Sequence, residues 1–273
     1  MEGFAAALIS LAGGRIRYPE AGGRAHNVTD RPGSAHWGAP MGDLTPAADT
    51  SGVVEWIHQA LVEEYNVRSL VPEVFEDYAR IFHPAMDVDQ RPVSWAAVAR
   101  WSGRVMHSRA QWDPIANPVD PELPPPFTEE PESGSLPRAQ AKRLAEILQP
   151  YTERPERCWF AVWDGSDFRR DWARGPRFTL PLGRELILLS GSLEAVTTSM
   201  NNSPEDIFHQ SPYAWWPDCR SWYIATDIDL MVTHIGGSRA CIDAILTDPT
   251  LEAWRVPSTS PVTFDSDDQN PLP

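Results

Sequence analysis

The sequence predicts an α+β fold: N-terminal helices packed on a small, mostly antiparallel sheet, with a C-terminal helix. Three observations carry this. Apolar residues recur at helical spacing before residue 150, and after residue 155 they crowd into short β-branched and aromatic runs. The regular strand–helix alternation of a doubly wound parallel sheet does not occur.

Residues 1–51 hold eight glycines and lose periodicity after Ala12, so a disordered or loosely attached arm is expected there. Val53, Ile57, Ala60, Leu61 and Tyr65 then keep helical spacing behind Ser51 as N-cap. A second helix is expected from Pro72, tolerated in a first turn, through Val74, Phe75, Tyr78, Ile81 and Phe82, and Pro84 stops it. Ser94 caps a third, in which Trp95, Val98, Trp101 and Val105 supply the apolar positions. Between Asp113 and Pro137 stand eight prolines and six acidic residues with no basic one. That composition predicts an exposed loop, extended and without helix or ladder, interrupting a single domain over 52–256. A fourth helix follows over Arg138–Gln149, ended by Pro150.

After Pro155 the period changes. Cys158–Trp163 is apolar on both alternating faces, as in a central strand, and Glu185–Leu189 is a second strand. Trp222–Ile228 and Leu230–Ile235 meet at Asp229 as a hairpin or one bent strand, which Gly236-Gly237 breaks. Ser238 caps a last helix through Ala240, Ala244 and Ile245, and Pro249 ends it. Residues 257–273, with four prolines, three aspartates and no basic residue, are expected to be a disordered acidic tail.

The 273 residues include 23 basic and 38 acidic side chains, a net charge of −15 that opposes binding to nucleic acid or an anionic membrane. No apolar run approaches the roughly 18 residues a spanning helix needs. The run Phe4–Ala12 is short and preceded by Glu2, so no secretory leader is expected and the chain is placed in the cytoplasm. Cys158, Cys219 and Cys241 fit neither a disulfide framework nor a zinc set, and reduced thiols are expected. Lys142 is the single lysine; it lies beside a helical apolar stripe with no glycine loop before it, which disfavours Schiff-base and P-loop chemistry. The zincin, Cys-x-x-Cys, nucleophile-elbow, dinucleotide and EF-hand patterns are all missing, so no cofactor and no local metal site is expected.

Two groups of residues invite a functional reading. Ser211–Trp222 gathers Tyr213, Trp215, Trp216, Asp218, Arg220 and Trp222: either a recognition surface of aromatic and Arg contacts, or a plug closing the end of the sheet. Asp227 and Asp229, two apart in an extended segment, point to one side. They suit one cation or an acid–base pair with His234 or His209 as base; alternatively they close a hairpin in solvent. His234 keeps register with Leu230 and Val232, as a core or edge histidine would, and His83 is expected to interact with the C-terminal dipole of the second helix.

Trp215-Trp216-Pro217-Asp218, the following Ser221–Asp229 stretch and Gly236-Gly237-Ser238 resemble a group of uncharacterised actinobacterial proteins, which implies no activity. More weakly, Pro72, Tyr78 and Phe82 resemble the early helix of SUKH-type immunity proteins. That resemblance implies a small α+β domain that neutralises a toxin or serves as an interaction module. The function expected is therefore a cytoplasmic protein-interaction or binding module, immunity-like, whose protein partner has a basic surface. The competing expectation is a metal-assisted hydrolase or transferase with a site assembled from Asp227, Asp229 and a histidine.

Overall fold

Strands that are apolar on both faces require cover on both faces. The computed structural model, which describes residues 44–181, 183–201 and 209–270, contains a large sheet built in this way. In chain order the elements are β1 (Thr45–Pro46), α1 (Glu55–Ala60), β2 (Asp77–Phe82), β3 (Ala85–Met86), β4 (Pro92–Val93), α2 (Trp95–Ser102), α3 (Trp112–Ala116) and α4 (Arg138–Leu148). There follow β5 (Cys158–Trp163), β6 (Arg177–Thr179), β7 (Glu185–Gly191), β8 (Ala214–Pro217), β9 (Trp222–Ala225), β10 (Val232–Gly237), α5 (Arg239–Leu246) and β11 (Ala253–Arg255). The nine-stranded sheet runs β1-β7-β5-β8-β9-β10-β2-β11, with β6 also on β7, and β3–β4 is a separate hairpin. Neighbouring strands are antiparallel.

The α+β class holds, but the arrangement within it differs from expectation. The helices are distributed along the chain rather than gathered at its start, and the sheet is large rather than small. One cause is residues 77–82, expected to be helical and found as β2; β1, β6, β8 and β11 also join the sheet. Tyr78, Ile81 and Phe82 satisfy helical spacing, but Tyr78, Arg80 and Phe82 also satisfy alternation. The decision comes from tertiary pairing with β10 on one side and β11 on the other. Tyr78 and Phe82 of the SUKH-like pattern thus stand on a strand, and Pro72 precedes it in a non-helical segment. Trp215 and Trp216, for which no strand was expected, lie on the inner strand β8.

Alternation sorts the core cleanly. Phe160, Val162, Trp215, Trp222, Ile224, Ile81 and Ile235 point to one face, where α4 supplies Leu144 and Leu148 and α5 supplies Cys241, Ile242 and Ile245. On the opposite face Ala161, Trp216, Tyr223 and Tyr78 pack against Ile57 of α1, Leu61 just after it, and Val67 and Val71. Further along that face Phe82 and Val232 meet Trp95 and Val98 of α2 and Trp112 and Ile115 of α3. Leu230 touches both of these second-face clusters.

Local signals account for the helix ends. Ser94 accepts the Ala97 amide at 3.2 Å and Ser238 the Cys241 amide at 3.3 Å, as capping residues do. Gly236-Gly237 does not break β10: a side chain at Gly236 would meet the Phe75 ring at 2.4 Å, so glycine permits the close approach of that loop to the strand. The acidic Pro-rich segment is less uniform than its composition suggested. It holds α3, with Pro114 in the first turn, and it buries Ser135 and Leu136. Gly134, at φ +73°, docks against the β9–β10 turn with its amide on Leu230 O at 2.9 Å.

Two terminal expectations also change. Residues 44–51 of the supposed arm belong to the fold, since β1 pairs with β7; residues 1–43 lie outside the described residues. Residues 257–270 of the supposed tail return along the body: Val67 N donates to Ser260 O, Asp267 accepts from His107 Nε2 at 2.8 Å, and Asn270 Nδ2 donates to Val105 O. Short polar side chains here bond to loop backbone elsewhere, which composition cannot show. Among the described residues no helix is long and apolar enough to cross a membrane.

Candidate functional site

Trp215 and Trp216 are each 1% exposed and point to opposite faces of the sheet. Trp215 lies parallel to Phe160 and edge-on to Trp222, while Trp216 stacks on Tyr223 at 5.3 Å between centroids. They form core, not a recognition surface. Asp218 is engaged by Arg154, by Arg157 at 3.7 Å and by Trp159 Nε1 at 3.3 Å. Arg220, at φ +57° in the β8–β9 turn, lies over the Trp56 ring at 5.5 Å. This pair ties the turn to its neighbours.

Of the remaining predicted residues, Asp227, Asp229 and His234 fall into two polar clusters on the second face, with Asp227 and His234 buried and Asp229 exposed, while His209 lies apart, beside Ser135 and Arg138. The first surrounds Asp227 and Asp229 at the β9–β10 turn. Asp227 Oδ1 accepts the Asp229 amide at 3.0 Å, and Leu230 N returns to Asp227 O at 3.0 Å, the side-chain-plus-backbone bonding of an Asp turn. Arg184 Nη2 joins the two carboxylates, at 3.2 Å to Asp227 and 2.6 Å to Asp229. The Tyr213 hydroxyl donates to Asp227 Oδ2 at 2.7 Å. Burial, and then the adjacent carboxylate, push the Tyr213 phenol well above its ordinary value, so it remains a donor. The two aspartates do share a side, but the cation between them is an arginine. Among the described residues no group of three His, Cys, Asp or Glu side chains is placed to hold a metal ion.

The second cluster contains His234, and sequence reasoning missed its main member, Arg80. The two residues are directly opposed on β10 and β2. Arg80 is 4% exposed, and its guanidinium carbon lies 4.8 Å from the Phe82 ring centre and 6.0 Å from that of Trp95. Nη1 donates to Ser108 O at 3.1 Å, and the buried Nε has no acceptor. Burial lowers the Arg80 pKa to about 9, with Asp267 opposing the shift, and the side chain stays charged at neutral pH. His234 is 2% exposed with no partner at Nδ1. Burial first, then Arg80 and His83, push it down to about 3, so it is neutral. A charged residue alternating with Tyr78 and Phe82 in an otherwise apolar run was the available signal, and the helical reading of that run concealed it.

His83 belongs to the other face. It follows the end of a strand, β2, rather than of a helix, and burial lowers its pKa to about 4. Its Nδ1 lies 2.7 Å from Glu132 O and its Nε2 2.9 Å from Thr233 Oγ1. A carbonyl only accepts, so Nδ1 carries the proton, and neutral Nε2 accepts from Thr233. Thr226, 2.7 Å from Thr233, completes the chain as donor. All these polar atoms are matched, as a structural histidine requires.

The cysteines are free; burial raises Cys158 and Cys241 to about 12, which leaves both as unreactive thiols. Comparison with protein-family models, with curated proteins and with solved structures finds no match to this chain.

Proposed function

We propose that the protein is a binding module that takes a basic protein partner through residues 119–130. One observation carries the reading: this strap is fixed at both ends and exposed between them. Val119 N donates to Ser102 O at 2.9 Å, and Thr128 N donates to Met86 O at 2.8 Å. Phe127 wedges against Trp101 and Trp112. Between these anchors Asp120, Glu122, Leu123, Pro124 and Pro125 are exposed, as are Glu129 and Glu130 beyond them. Asp120 closes a turn with the amides of Glu122 and Leu123, and the consecutive prolines that follow stiffen the strap before binding, which reduces the ordering cost; a patch of one sign steers a partner of the other.

The reading keeps the expected partner but moves the contact surface from the tryptophans to the strap. It also sets aside the metal-assisted alternative, because Arg184 occupies the position between Asp227 and Asp229 where a cation was expected.

The test measures binding of an arginine-rich peptide by fluorescence anisotropy at low and moderate salt. Neutralising Asp120, Glu122, Glu129 and Glu130 together to Asn or Gln is expected to weaken binding at least tenfold. Neutralising four acids exposed elsewhere, Glu63, Glu153, Glu156 and Glu194, should change it less than twofold. Equal losses from both sets would reduce the attraction to bulk charge and overturn the reading.

A further inference from the structure

Two apolar clusters cover the second face of the sheet, and Arg80 and His234 lie at the seam between them. Residues directly opposed on antiparallel strands carry their side chains on the same face with Cβ atoms about 5 Å apart. At this seam that places a guanidinium beside an imidazole, both almost wholly removed from water, and each with a nitrogen that meets nothing: Nε of Arg80 and Nδ1 of His234. Buried polar atoms are ordinarily matched, and a buried cation ordinarily has a counter-ion in contact.

The carboxylate that influences Arg80 is Asp267, and it is engaged elsewhere. Its oxygens accept from His107 Nε2 at 2.8 Å, from the Gln111 amide at 3.2 Å and from the amide and side chain of Asn270. Those bonds, against the opposing effect of burial, hold the Asp267 carboxyl below its ordinary value. Arg80 is left with one carbonyl, Ser108 O, and two aromatic faces.

We propose that Arg80 and His234 bind the carboxylate of a small monocarboxylic acid, one oxygen accepting from Arg80 Nε and the other from His234 Nδ1. A carboxylate offers one oxygen to each of the two donors, the bond to the guanidinium being charge-assisted, and the Phe82 and Trp95 rings beside Arg80 suit a short apolar substituent. The burial of both residues restricts the ligand to a few heavy atoms. The negative charge of Asp267 nearby favours a singly charged anion over phosphate.

The experiment compares the thermal midpoint of the full chain in sodium formate, sodium acetate, sodium phosphate and sodium chloride at matched ionic strength and constant pH. Carbon-13 formate linewidths report binding directly. At a hundredfold excess over Kd the monocarboxylate should raise the midpoint by about 5 °C relative to chloride. Phosphate should give less than half of that. Formate broadening and both shifts should disappear in Arg80→Met and in His234→Phe. If Arg80→Met does not fold, His234→Phe carries the test, since it removes only the second donor. Equal midpoints in formate and chloride, a larger effect from phosphate, or formate broadening that survives in the folded variant would overturn the proposal. None of these outcomes bears on the strap, which lies outside the seam.

Discussion

Asp227 and Arg80 are buried to nearly the same degree on one face of one sheet, at 2% and 4% exposure, but their surroundings differ. Asp227 lies at a turn, where a hydroxyl, a guanidinium and a backbone amide converge on its oxygens. Arg80 lies in the middle of a strand flanked by two others, where the neighbouring backbone is committed to the ladder and one loop carbonyl is the acceptor it has. A turn can bend donors toward a charge; a central strand offers side chains alone. The satisfied charge is therefore structural, and the unsatisfied one is where a ligand would be expected.

Several measurements sharpen or break this contrast. The largest effect should come from apolar burial away from either charge: Trp215→Ala or Trp216→Ala should cost about 3–5 kcal/mol in urea unfolding, with a cavity on one face or the other. Next, Arg184→Met leaves Asp227 buried without its cation, a loss of about 3 kcal/mol, whereas Asp227→Asn keeps an acceptor for Tyr213 and should cost less. A cost below about 1 kcal/mol for Arg184→Met would remove the distinction between the clusters.

Acidification should act on the histidines. His83 and His234 have folded pKa values near 4 and 3, against about 6.5 unfolded, so the unfolded chain binds more protons in the interval between. The stability they contribute is complete above about pH 6.5 and falls as pH drops toward 4, by about 1.4 kcal/mol per pH unit for each. Replacing His234 by Phe should halve that slope. The smallest effect is expected from Arg80→Met in ligand-free buffer, within about 1 kcal/mol of the parent in either direction, because the substitution removes a buried charge with no ion-pair partner. A loss as large as that of Arg184→Met would show that Arg80 is structural after all.

What the sequence revealed follows the range of the interactions involved. Helix α4, the serine caps of α2 and α5, and β5 depend on neighbours within a few residues and were legible. Strand β2 was not, because its partners begin at Val232 and Ala253, about 150 and about 170 residues downstream, and the local run fits either period. The Asp227–Asp229 pair was legible as two carboxylates on one side, but Arg184, which decides their role, is 43 residues away. The tryptophan pair was legible as a cluster; its burial depended on β5 and β9 lying on either side.

The path of residues 257–270 has a consequence for synthesis. Pairing of β2 waits for β10 and β11, and the loops at Val67 and Val105 find their hydrogen-bonding partners at Ser260 and Asn270. A ribosome adding about 5–20 residues per second needs about 8–30 seconds to bridge the interval from residue 82 to residue 232. Through that time the apolar flanks of β2 stand open beside the exit tunnel. The sheet around β2 is thus completed only once residues 232–255 have been made, and until then the partly made chain, not the finished one, has the greater need of a chaperone.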